Sequence, residues 1–249
     1  MSLYDVSFIL PNWPAPSRVR AYVSTRVGGV SQPPFDSLNL GGHVDDEIEH
    51  VVENRRLFAT AIKMPSSLQW LNQVHGTTVA RLPCDHLPDS ADAAFSDQVN
   101  QVCAVLTADC LPVFFCDAAG EKVAVAHAGW RGLCAGVLEE TLSGFDDPET
   151  VLVWLGPAIG PEAFEVGDEV REAFMSVTTA AEAAFKPAQQ QGKWLGDLYL
   201  LAKQRLSAAG VAQIYGGDHC TFTDEARFYS YRREGKTGRM ASVIWLDEQ

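Results

Sequence analysis

The stretch from residue 101 to 128 constrains the chain most. Two apolar runs are interrupted only by Ala108-Asp109-Cys110, and Lys122–Ala126 follows closely. Each run is short enough for a buried strand, so the stretch predicts the centre of a β-sheet. Its polar interruption marks a place where regular structure must stop.

The surrounding pattern is mixed. Val19, Ala21 and Val23 alternate with polar residues across Arg18–Thr25, as in a strand with one face buried. Asp45 and Asp46 precede Glu47–Ala61, whose Ile48, Val51, Val52, Leu57 and Phe58 suit a helix with an acidic first turn, stopped before Pro65. Gly129 and Gly132 bracket a turn into a predicted helix, Leu133–Leu142, ending near Gly144. Helices are also expected over Glu165–Ser176 and Leu198–Ala209, and strands over Val151–Leu155, Ala212–Tyr215 and Ser242–Leu246. Thr178–Gly192, rich in Ala and Gln, reads as helix or mobile loop. Strict βα alternation is absent, which favours an α+β fold, a mixed β-sheet layered with helices, over a doubly wound parallel one. With neither repeat nor linker, a single domain is expected over 1–249.

Composition narrows the function. A chain of 249 residues with 47% hydrophobic content can bury a sizeable core. Six cysteines, at 84, 103, 110, 116, 134 and 220, form no C-x-x-C pair, and nothing at the start resembles a signal peptide. They are expected to be reduced thiols of a soluble, cytoplasmic protein. No apolar run approaches the roughly 20 residues that cross a membrane. The net charge of −13 repels nucleic acid at long range, leaving small molecules as the expected partners. A small anion can still be captured where arginines converge, because distant charges are screened beyond about 8 Å.

His75 in Asn72-Gln73-Val74-His75-Gly76, Cys110 before Pro112, and His127 at the end of an apolar run all stand where regular structure stops. Imidazole and thiolate suit zinc, and three protein ligands leave a fourth tetrahedral position open, as at catalytic sites. Spacing alone leaves other readings open. The histidines also fit hydrogen-bonded core residues with Cys110 a small buried hydrophobe, or Cys110 is a nucleophile with His127 its base.

Ala128-Gly129-Trp130-Arg131-Gly132 offers free N–H groups and a guanidinium to an anion, or is simply a glycine-permitted turn with Arg131 in solvent. Ser24-Thr25-Arg26-Val27-Gly28-Gly29 has the same character. Tyr229-Ser230-Tyr231-Arg232-Arg233 can stack a base or hold phosphate, or is an ordinary aromatic strand with surface arginines. His219 is a lesser fourth ligand candidate, since a fourth protein ligand closes the site. His43, His50 and His86 read as solvated.

With these residues in view, the chain resembles the YfiH family, also called the multicopper polyphenol oxidase or laccase-domain family, which includes purine nucleoside phosphorylases and a peptidoglycan-editing branch. The resemblance runs through Ser24–Ser31, Ser37–Gly41, Gln73–Gly76, Thr107–Pro112, His127–Gly132, Leu155–Gly160, Phe228–Arg233 and Thr237–Met240. It implies that His75, Cys110 and His127 bind zinc, with no departure at any of the three. It further implies phosphorolysis of adenosine, inosine and 5′-methylthioadenosine, and deamination of adenosine. Within that frame Arg26 and Arg131 are candidates for holding phosphate and Asn39 for a substrate hydroxyl. Six histidines without a His-x-His pair do not make a multicopper oxidase, although one Cys/His site can take copper as a side activity.

Two other function classes compete. One is a metal-free cysteine hydrolase, Cys110 attacking an amide or muropeptide carbonyl with His127 as base. The other is a binding protein in which a metal only braces three loops. The metal hypothesis requires His75, Cys110 and His127 to converge on one point.

Overall fold

The computed structural model describes residues 5–248, so the outermost ends of the 1–249 span lie outside it. Along the chain the strands are β1 (Phe8–Ile9), β2 (Val19–Ser24), β3 (Val79–Leu82), β4 (Ala93–Ser96), β5 (Cys103–Thr107), β6 (Leu111–Asp117), β7 (Val123–Ala128), β8 (Val151–Leu155), β9 (Glu165–Gly167), β10 (Phe185–Pro187), β11 (Lys193–Gly196), β12 (Gln213–Gly216) and β13 (Met240–Leu246). The helices are α1 (Ile48–Ala61), α2 (Trp130–Ala135), α3 (Val137–Leu142), α4 (Asp168–Val177), α5 (Leu198–Ala208) and α6 (Tyr231–Glu234). One sheet runs β1-β2-β13-β5, antiparallel throughout. A six-stranded sheet runs β12-β8-β6-β7-β4-β3, parallel at its two outer pairs and antiparallel between them. Strands β9, β10 and β11 form a small antiparallel sheet of their own. This is the mixed α+β architecture expected from the broken βα alternation.

Strands β6 and β7 read as unbroken apolar runs because both faces of their sheet are covered. Val113, Phe115, Ala124 and Ala126 pack with Leu138, Val170 and Leu201 of the helices. The alternate residues Phe114, Cys116, Val123 and Val125 meet Val23, Val105 and Ile244 of the four-stranded sheet. That sheet's other face, with Ala104, Leu106, Ala241 and Val243, is closed by Phe58 of α1 together with Leu38 and Leu40. Two sheets thus lie back to back between helices.

The expectation that residues 101–128 form one sheet centre needs a correction. Only β6 and β7 are central; β5 is the edge of the other sheet, so Ala108-Asp109-Cys110 is where the chain crosses between sheets. Asp109 makes the crossing with φ 93°, a conformation uncommon outside glycine. Its carboxylate accepts from Thr221 Oγ1 (2.6 Å), Ser230 Oγ (3.0 Å) and the Arg232 N–H (2.7 Å), which holds the crossing in place.

Other differences have local causes. The helix expected over Leu133–Leu142 starts earlier, at Trp130, and is broken by Gly136 at φ 106°. Glu165–Gly167 is strand, because it pairs with Lys193–Leu195, and the helix begins only at Asp168. Thr178–Gly192 becomes a 3-10 turn over Thr179–Ala184 followed by β10, the first strand of a hairpin with β11. Strands β3 and β4 are only four residues each, too short to stand out in the sequence pattern.

Asp109→Ala strands three donors in a buried crossing, each loss worth about 1–3 kcal/mol, so stability should fall by roughly 3 kcal/mol or more. Asp109→Asn, which keeps one acceptor oxygen, should fall less. Urea unfolding checks both, and an unchanged midpoint for the alanine variant would show that the carboxylate does not hold the crossing.

Candidate metal centre

His75 sits in a loop with φ 63°, and the loop is wrapped around an anion. The consecutive N–H groups of Val74, His75 and Gly76 donate to the carboxylate of Asp92 at 3.2, 2.9 and 2.7 Å. Successive N–H groups curled in this way form a nest that favours negative charge. Asp92 is fully buried just before β4. Its Oδ1 also accepts from His127 Nδ1 at 2.8 Å, and its carbonyl accepts from the His127 N–H. With Nδ1 donating, His127 keeps the lone pair on Nε2 for the site. Burial would raise the Asp92 pKa, but the His127 hydrogen bond and the Gly76 and Val74 N–H groups outweigh it and hold the carboxyl below its usual range.

Cys110 follows the Asp109 crossing directly and immediately precedes β6. Its Sγ lies 3.7 Å from His75 Nε2, and ligand atoms of His75, Cys110 and His127 all fall within 4.8 Å of one another. The two imidazoles meet edge to face at 4.7 Å. Ligands of a tetrahedral ion with bonds of ~2.0–2.3 Å stand about 3.5 Å apart, so the donor set and its spacing fit such an ion. Gly129 backs the site: a Cβ there would lie 2.5 Å from His75 Cδ2 and 3.1 Å from Cys110 Sγ. Burial pushes the Cys110 thiol up, but His127 and His75 outweigh it and bring the pKa down to about 6. Burial likewise opposes charge on His127, yet Cys110 and Asp92 raise its pKa to about 9. Without metal the pair is therefore thiolate and imidazolium at neutral pH.

The centre opens into a cavity of about 710 Å³ whose lining includes His43, Trp70, Thr107, Tyr231 and Arg239. That volume suits a small organic ligand. Arg239 is tied by Nη1 to the carbonyls of Thr237 and Gly238, and Arg55 stacks on Trp70 at 4.2 Å while Nε donates to the Leu40 carbonyl. Among the described residues neither guanidinium has a carboxylate partner within salt-bridge distance. Burial and then the charges of Arg239 and Arg55 lower the His43 pKa. A protein of net charge −13 thus carries a local positive field beside its metal-ligand cluster.

His75, Cys110 and His127 are brought together as expected; the anion candidates are not brought to them. Arg26 pairs with Glu234 at 2.8 Å, lies against Tyr229, and is not in the cavity lining. Asn39 is fully buried, donates to the Gly41 carbonyl and Asp46, and accepts from the Gly41 and Arg239 N–H groups, leaving no capacity for a ligand. Arg131 is exposed, rests on Trp130 at 4.5 Å, and is likewise absent from the lining. His219 lines a separate cavity with Cys220. Of Tyr229–Arg233, only Tyr231 reaches the cavity; the segment is a helical turn capped by Ser230, and Arg233 binds the carbonyls of Thr221 and Phe222.

His43, read as a solvated surface residue, is exposed but forms part of the cavity wall. Asp92, Arg55 and Arg239 belong to the site without having been candidates in the sequence. For Asp92 no signal existed, whereas Arg239 lay within a segment already singled out. Gln73, two residues before His75, is pinned by a double hydrogen bond to β5, its amide bonding both the N–H and the carbonyl of Leu106 at 2.8 Å.

Residues 20–247 match the family model described as multi-copper polyphenol oxidoreductase laccase. An Escherichia coli K12 protein named purine nucleoside phosphorylase YfiH is 59% identical over 240 residues, 96% of this chain and 98% of that relative. A Pseudomonas aeruginosa purine nucleoside phosphorylase is 54% identical, covering 97% and 99%. The crystal structure of Neisseria meningitidis protein NMB0706 superposes with a TM-score of 0.91 at 47% identity, covering 97% of this chain and 99% of that one. No helix among the described residues is long and apolar enough to cross a membrane.

Two measurements probe the centre. Asp92→Asn replaces one acceptor oxygen with a donor facing two of the four donors, and metal affinity should drop about 10–100-fold; competition with a chromophoric chelator reads it, and unchanged affinity would remove Asp92 from the metal's support. Metal uptake near pH 7.5 should release about one proton per chain, the one held by His127, with release vanishing well above pH 9 and growing as the pH falls through 6 and the Cys110 thiolate takes up its own proton. Calorimetry in buffers of different ionisation enthalpy counts these protons, and a release independent of pH would contradict the thiolate–imidazolium pair.

Proposed function

The chain belongs to the multi-copper polyphenol oxidoreductase laccase family, and from that premise we propose that it is a zinc-dependent purine nucleoside phosphorylase. One observation carries the reading: a cluster of three potential metal ligands, too few to close a tetrahedral site, faces a cavity lined by Arg239, a guanidinium without a carboxylate partner among the described residues. The names of its relatives support the same activity. Adenosine, inosine and 5′-methylthioadenosine are the proposed substrates, with adenosine deamination as a second reaction of the same pocket.

Zinc suits two imidazoles and a thiolate, and when bound it would supply a positive charge that orients phosphate or acidifies a water. The chain's own residues do the rest. Arg239 and His43 hold the phosphate, Arg55 adds its charge from its stack on Trp70, and Asn39 acts through Arg239 by accepting its backbone N–H. Trp70 and Tyr231 offer aromatic faces to the purine. A phosphate oxygen then bonds to the ribose carbon as the bond to the base breaks, and the base leaves with the electron pair and takes up a proton. Asp92 keeps His127 in one tautomer and orientation throughout. A single Cys/His centre among the described residues does not provide a multicopper array. Copper(II) outranks zinc in affinity, so polyphenol oxidation by copper-loaded protein is at most a side activity.

A second reading has one observation in its favour. Cys110, His127 and Asp92 line up as nucleophile, base and orienting carboxylate, the arrangement of a cysteine hydrolase acting on an amide or muropeptide.

Chelator treatment separates the two. Stripped protein should lose phosphate-dependent inosine cleavage and regain it with zinc, whereas amide or muropeptide cleavage that survives the chelator would favour the hydrolase. In the zinc-loaded enzyme, Arg239→Ala should raise the KM for phosphate about tenfold or more through loss of a charge-assisted contact. Arg131→Ala, at the other candidate anion partner, should stay near the parent. The reverse pattern would move the phosphate to the turn after His127.

A further inference from the structure

Five threonines are buried to 2% exposure or less: Thr25, Thr107, Thr141, Thr221 and Thr237. Four of them donate their hydroxyls, to the carbonyls of Ser7 and Val137 and to the carboxylates of Asp109 and Glu234. Thr107 does not. Its Oγ1 is buried without a hydrogen-bond partner among the described residues, and the residue lines the cavity of the metal centre. A buried hydroxyl left unpaired is unfavourable, and valine would fill the same β-branched shape in a strand without that penalty. A threonine here makes sense if a ligand completes its hydrogen bond.

Its place in the fold says which part of the ligand. Thr107 ends β5 three residues before Cys110, and its register partner across the sheet is Met240, the neighbour of Arg239. Thr107 thus shares one cavity wall with the metal-ligand candidate Cys110 and with the half-buried Arg239. An anion drawn to both charges would meet it.

We infer that the Thr107 hydroxyl is a specificity-determining contact for phosphate, donating a hydrogen bond to one of its oxygens between Cys110 and Arg239. This rests on the phosphorylase reading above. It also explains the orphan hydroxyl as one kept for an oxyanion, a stronger acceptor than a neutral group. The other orphan hydroxyl, on Ser242, is not in the cavity lining and serves as the control.

The test uses zinc-loaded parent protein, Thr107→Val, Thr107→Ser and Ser242→Ala. Initial rates are measured against inorganic phosphate at saturating inosine and against inosine at saturating phosphate, and thermal midpoints with and without phosphate. Thr107→Val should raise the KM for phosphate about tenfold or more and leave that for inosine unchanged. Its phosphate-free midpoint should not fall, while the rise produced by phosphate should shrink. Thr107→Ser should restore phosphate use, and Ser242→Ala should not affect it. An increased KM for inosine alone would assign the hydroxyl to the nucleoside and overturn the inference, as would a lower phosphate-free midpoint with unchanged phosphate use. If the parent cleaves no inosine with phosphate, the phosphorylase reading fails instead, and the phosphate-induced thermal shift still decides whether Thr107 contacts the anion.

Discussion

One buried carboxylate organises this molecule's chemistry. Asp92 gathers the N–H groups of three successive residues around His75 and the Nδ1 of His127, so two of the three ligand side chains are aimed by the same two oxygen atoms. An unpaired carboxylate at full burial would be prohibitively unfavourable, whereas four donors make it the fixed point around which a loop and a strand end are arranged. The third ligand, Cys110, is positioned by a parallel device one residue away, where Asp109 collects donors from Thr221, Ser230 and Arg232. Two aspartates thereby set the geometry of the three candidate ligands.

Parts of this were legible in the sequence for physical reasons. The apolar runs of β6 and β7 announce themselves because both faces are covered, and α1 because one face of a regular helix must be apolar. The three candidate ligands stood out because cysteine and histidine at the ends of such runs are chemically conspicuous. Asp92 was not, since an aspartate beside alanines in a polar segment looks like any surface carboxylate until the fold buries it. The division of residues 101–128 between two sheets was equally hidden, because burial on both faces looks the same whether the neighbouring strand belongs to one sheet or another. Arg26 and Arg131 were conspicuous in glycine-rich segments, yet sequence does not say which arginine meets a carboxylate. Arg26 found Glu234; Arg55 and Arg239 found none.

The charge distribution is the other organising constraint. An acidic surface keeps polyanions away, while partly buried arginines beside the cavity keep a field that a small anion senses only after it has entered. The two fields act over different ranges, the acidic one outside the molecule and the basic one within the cavity.

Gln73 adds a consequence of a different kind. Its amide bonds the N–H and the carbonyl of Leu106 just as an adjoining strand would, on the outer edge of the sheet that ends in β5. Bare sheet edges are templates for pairing between copies of a chain, and proteins blunt them by covering or bending them. Here the cover is a side chain from the same loop that carries His75. Colloidal behaviour and metal occupancy consequently share one loop: whatever loosens the ligand also uncovers a strip of backbone through which two molecules can adhere.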